Sequence, residues 1–134
     1  MKERSILFYS SFIFITNVIT AFYNEYYLYS FLFCILATTS LSVHSNDNIY
    51  TNVIDKIAVS KIVLYGAYTL YNKINVNKCM NCIIIITFLS CVYFYIYGFL
   101  TKKYCFSDEK LKAEKYHFMM HIIGSTGHHF IVFL

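Results

Sequence analysis

The sequence predicts an all-α integral membrane bundle of about five transmembrane helices, and three observations predict it. Hydrophobic residues fill 58% of the 134 positions and aromatic ones 20%, for a mean hydropathy of +0.53. Charged residues fall to 13%, where a water-soluble domain carries roughly a quarter. The charges also gather between apolar runs of about 20 residues, the length that crosses the ~30 Å hydrocarbon core of a bilayer. A chain of 134 residues has room for one domain. This composition excludes disorder, coiled coil and a water-soluble globule. A net charge of +4, dispersed among apolar runs, excludes nucleic acid as a partner.

The spans are expected at 5–22, 27–44, 53–71, 82–100 and 116–134, forming a single transmembrane domain. The first closes at the polar pair Asn24 and Glu25. Its start is basic like a signal peptide, but the apolar run is long for one and no small-x-small cleavage pattern follows, so a retained span is expected. The second span ends in Ser45, Asn46, Asp47 and Asn48. The third is the least apolar, because it holds Asp55, Lys56 and Lys61. The fourth gives way to a basic loop that precedes the fifth. Counted across these spans, Lys2, Arg4, Lys102, Lys103, Lys110, Lys112 and Lys115 share one side, with Lys56 at its border. Lys73 and Lys78 lie on the other. The positive-inside rule then expects a cytosolic N-terminus. The sequence has no proline, so fairly straight helices without proline kinks are expected.

Ionisable groups inside spans are costly and therefore functional candidates by default. His44 ends the second span, Asp55 opens the third, and His117 and His121 occupy the first turns of the fifth. The topology puts all four at the cytosolic end. His117 and His121 are four residues apart, on one helix face, and Ser40 and His44 repeat that spacing. Three neutral imidazoles around a metal with one open position form a catalytic zinc arrangement, in which the bound water ionises near neutral pH. A carboxylate must then take the proton, and Asp55 is the acid available within the spans. Ser40 could steady the water or a developing oxyanion. The alternative is that these side chains sit at membrane ends and meet headgroups.

The order Ser40, His44, Asp55, His117, His121 resembles the motif set of a superfamily of membrane zinc hydrolases. It comprises the alkaline ceramidases, the adiponectin and progestin receptors, the haemolysin III-like proteins and the GPI-anchor remodelling proteins. The resemblance implies zinc on His44, His117 and His121, with Asp55 and Ser40 assisting a zinc-bound water. It also implies a lipid substrate, cleaved at an amide or ester bond. The stretch after Asp55 is similar in texture to the haemolysin III third helix, and the Gly following His121 is similar to the last-helix motif of that branch and the GPI-remodelling branch. Superfamily members usually have seven helices with the motifs on the second, third and last; here they fall on the second, third and fifth. Loss of a helix pair keeps the motifs on one face but thins any cavity wall, which opens the alternative of a homo-oligomer that completes it. The acidic, Trp-containing calcium site of the ceramidases has no counterpart at this N-terminus, and Met120 stands where some branches place a Trp before the second His.

Other polar groups have simpler readings. His128 and His129 lie too far along the axis from His121 to share its metal. His128 is expected to line the bundle and His129 to meet headgroups. Cys79 and Cys82 form a CxxC before the fourth span, which keeps a thiol oxidoreductase as a lesser alternative. Lys61 is expected to snorkel, and Gly124 to Gly127 to permit close helix approach. The main alternative to a hydrolase is a small non-enzymatic membrane protein with a structural metal site.

Overall fold

The computed structural model describes residues 5–46 and 48–134. Lys2 and Arg4, counted in the charge asymmetry, and Asp47 of the second loop lie outside the described residues. Helices α1 (Ile6–Ser10) and α2 (Ile13–Tyr23) make a first rod, followed by α3 (Tyr27–Ser45) and α4 (Ile49–Asn72). Helix α5 (Lys78–Val92) continues through a π turn, Tyr93–Tyr97, into α6 (Gly98–Thr101). A 3₁₀ turn, Tyr104–Phe106, then leads to α7 (Lys110–Phe133). The described residues hold five helical rods and no strand, so the all-α expectation stands.

Among the described residues, three segments are long and apolar enough to cross a membrane: Ile6–Tyr23, Tyr27–Ser45 and Lys78–Phe106. The expected third and fifth spans fall short of that measure. Asp55, Lys56 and Lys61 dilute α4, and four histidines dilute α7. Both helices also start earlier than their apolar runs do. Asn48 caps α4, its side chain accepting from the Tyr50 amide at 3.0 Å, which sets the start at Ile49. The basic stretch before Tyr116 is helical because Lys, Leu, Ala and Glu are good helix formers, with Lys110 and Glu114 one turn apart at 3.9 Å. Two of the rods are interrupted without proline. Between α1 and α2, the Ser10 and Ser11 hydroxyls both bond the Leu7 carbonyl, at 2.9 and 2.8 Å, and the next bonds shorten to three-residue turns. The π turn interrupts the fourth rod.

The interior mixes an apolar core, with Phe14, Tyr29, Phe33, Leu36 and Ile62, and many buried polar groups, while large apolar residues also face outward. Ser10, Ser11, Asn17, Ser30, Ser40, Asp55, Thr69, Asn81, His121 and Ser125 are all buried. Phe22, Phe31, Ile86, Leu64, Phe99 and Leu100 are exposed. So much outward apolar surface would aggregate in water, whereas hydrogen-bonding residues between helices and large apolar ones outside suit a bilayer.

Helix α7 is the hub. The first rod lies parallel to it along a polar seam: Ser10 meets His121, Asn17 meets Ser125 and Thr16 meets His129. Asn17 brackets Ser125 twice, donating to its carbonyl at 3.0 Å and accepting from its hydroxyl at 2.5 Å. On another face α5 comes close at Gly127, where a Cβ would collide with Thr87. This is the close approach expected of the small-residue patch. Lys73, the C-cap of α4, donates to the Ile131 and Val132 carbonyls at 3.0 and 3.2 Å. That contact places a cation at the negative end of the α7 dipole and ties the ends of α4 and α7 together. The parallel run of the first, third and fifth rods follows from short antiparallel connections.

Asn17→Ala removes both bonds of the bracket and leaves the buried Ser125 hydroxyl without its acceptor. We expect a loss of about 1–2 kcal/mol in thermal or denaturant unfolding in detergent. Phe22→Ala, on the exposed face, should stay within about 0.5 kcal/mol.

Candidate metal centre

Three imidazoles converge where α3 ends beside α7. His44 occupies the last turn of α3. Its ring centroid lies 5.3 Å from that of His117 and 5.6 Å from that of His121, and the two α7 rings are 4.9 Å apart. One ligating atom from each falls within 4.8 Å of the others, so the group could hold a metal ion. Nitrogens bound at about 2.0–2.1 Å to a tetrahedral ion stand roughly 3.4 Å apart, so small side-chain rotations close the site. His121 is buried at 7% exposure, and His44 and His117 are half-buried.

The neighbours of His121 decide which nitrogen it offers. Its Nδ1 lies 2.7 Å from Ser10 Oγ. A hydroxyl has one hydrogen, and the Ser10 hydroxyl also faces the Leu7 carbonyl. With that hydrogen on Leu7, Ser10 accepts from Nδ1–H and Nε2 is the nitrogen left with a lone pair; with it on Nδ1, the roles reverse. Phe14 packs on the same imidazole with centroids 5.0 Å apart, which fixes the ring from the side. Such outer partners orient ligating histidines and raise their basicity. Neither Ser10 nor Phe14 carries a sequence signal that would separate it from its apolar helix.

The other two site candidates are held by neighbours of their own. Asp55 is 9% exposed and accepts from Thr39 Oγ1 at 2.9 Å. Thr39 precedes Ser40 on α3, so the carboxylate is anchored to the helix that carries His44. Asp55 is not one of the three converging ligands. Ser40, 2% exposed, faces Ser11 Oγ at 2.8 Å. Its hydroxyl therefore links α3 to the first rod.

The remaining polar candidates stand apart from this cluster. His128 faces inward, its Nδ1 bonded to the Tyr29 hydroxyl, with Phe33 edge-on at 5.2 Å. His129 Nε2 bonds Thr16 Oγ1 at 2.9 Å. Cys79 and Cys82 are exposed free thiols in the first turns of α5, at the opposite end of the bundle. Comparison with protein-family models, curated proteins and solved structures returns no match for this chain.

His44→Ala should abolish stoichiometric binding of a divalent ion in a chelator-competition titration of the detergent-purified protein. Ser10→Ala keeps all three ligands but frees the His121 ring. Its affinity should fall about 10–100-fold, the usual effect of losing an outer hydrogen-bond partner.

Proposed function

We propose that this chain is a multi-pass membrane hydrolase that holds zinc on His44, His117 and His121 and cleaves an amide or ester bond of a lipid. On this reading it is a shortened relative of the superfamily of alkaline ceramidases, adiponectin and progestin receptors and haemolysin III-like proteins. The observation that carries it is the three-histidine cluster, with His121 bonded to Ser10, at one end of a bundle whose large apolar side chains face outward. Imidazole nitrogens suit zinc, and three of them leave a tetrahedral ion one open position. Zinc held there supplies an activated water and polarises a carbonyl.

The chain's own residues do the rest. Asp55 accepts the proton released as the nucleophile attacks and returns it to the leaving amine or alcohol, while Thr39 holds the carboxylate in place. Ser40, bonded to Ser11, fixes the spacing between α3 and the first rod. The exposed apolar faces bring the protein to its substrate in the bilayer. With five rods alternating in direction, the cluster and the chain's N-terminal end share a side, which the lysine distribution assigns to the cytosol. The rival reading is a metal that only ties α3 to α7.

Asp55→Asn separates the two, because the amide keeps its shape and still accepts from Thr39 but takes no proton. The hydrolase reading expects full zinc content and unchanged unfolding, with turnover down about 10²–10⁴-fold. Lipid mass spectrometry of cells expressing the parent should show a lyso-lipid or free fatty acid that the Asp55→Asn form does not raise. Ser40→Ala should cost less. Indistinguishable lipid profiles with zinc bound in both proteins would leave only the structural role.

A further inference from the structure

A group of sulfur-bearing side chains gathers around Met120, the neighbour of His121 on α7. Cys105 Sγ is 3.7 Å from Met120 Sδ. Cys91 Sγ rests 3.8 Å from the Met120 carbonyl oxygen, so both cysteines contact the same methionine. The three side chains come from different elements: the end of α5, the 3₁₀ turn and α7. All are half-buried, and both thiols are free. We propose that Cys91, Cys105 and Met120 form a site for a soft monovalent cation of the copper(I) class, distinct from the three-histidine cluster.

Donor chemistry and geometry agree. Thiolates and thioethers select copper(I) over the harder divalent ions. Metal–sulfur bonds of about 2.3 Å in a trigonal plane set sulfurs roughly 4 Å apart, close to the 3.7 Å between Cys105 and Met120. The turn that carries Cys105 is held firmly. Tyr104 packs on Phe94 and Tyr116 at 5.4 and 5.0 Å, and Phe106 packs on Tyr95 and Phe99 at 5.1 and 5.3 Å. Binding one copper(I) releases the two thiol protons and leaves a net charge of minus one on the complex. Lys56 supplies the counter-charge: its Nζ lies 4.9 Å from the Tyr95 ring centroid, and Tyr95 packs on Phe106, the neighbour of Cys105.

The test uses the full chain in detergent with ascorbate, in a Cys79→Ser/Cys82→Ser background so that the exposed CxxC does not compete. Copper(I) is titrated against a chromophoric copper(I) chelator. The expected result is one copper(I) withdrawn per chain, with thiolate-to-copper absorption in the near ultraviolet. Cys105→Ser, on a surface turn, and Cys91→Ser should each weaken uptake at least 100-fold, and Met120→Leu about 10-fold. His44→Ala should leave uptake unchanged. Copper(I) should also block maleimide labelling of Cys105 in the parent, a readout that needs no variant. No uptake in the background protein, uptake that survives loss of both Cys91 and Cys105, or unimpeded labelling of Cys105 would overturn the proposal.

Discussion

The polar seam between the first rod and α7 decides where everything else in this bundle can be. In a bilayer the hydrophobic effect does not distinguish a helix neighbour from a lipid tail, so association rests on close packing and hydrogen bonds between helices. Ser10 with His121, Asn17 with Ser125 and Thr16 with His129 supply those bonds in one register. A shift of α7 by one residue would break all three at once. The same register brings His117 and His121 alongside His44, so the bonds that stabilise the bundle also assemble the candidate metal ligands. Ser10 serves both purposes, since the bond that joins two rods also orients the His121 ring.

Buried hydroxyls carry the connections from the seam to the rest of the site. Ser11 joins Ser40, and Thr39 joins Asp55. The three helices that supply site residues are thereby linked by short side chains with little rotamer freedom to lose. At the other end, Lys73 closes α4 on α7 and stacks over Tyr26 at 4.8 Å. A bundle held at both ends keeps α3 and α7 aligned over the length that separates His44 from Tyr29.

The histidines were legible in the sequence because their cost inside an apolar run makes them conspicuous, and because four-residue spacing places His117 and His121 on one face. Helix starts were less so. The lysines before Tyr116 read as a loop under hydropathy, although they are good helix formers, and Asn48 is a cap whose effect appears only once its side chain turns back to Tyr50. Ser10, Ser11, Thr16, Asn17 and Thr39 were invisible for a different reason. Short hydroxyl and amide side chains are common in apolar helices and can bond their own preceding turn. Which of them reach across to another helix is set by tertiary register, which no local pattern records. The break after Ser10 belongs with these, since two serines competing for the Leu7 carbonyl achieve without proline what proline usually does.

The cluster of His44, His117 and His121 is the centre of this account, and X-ray absorption at the zinc edge tests it most directly. The zinc-loaded, detergent-purified chain should show three imidazole nitrogens and one further light atom, all at about 2.0–2.1 Å. His44→Ala should remove that signature. A shell of sulfur at about 2.3 Å would move the zinc to cysteines, and a protein that takes up no zinc at all would contradict the assignment outright.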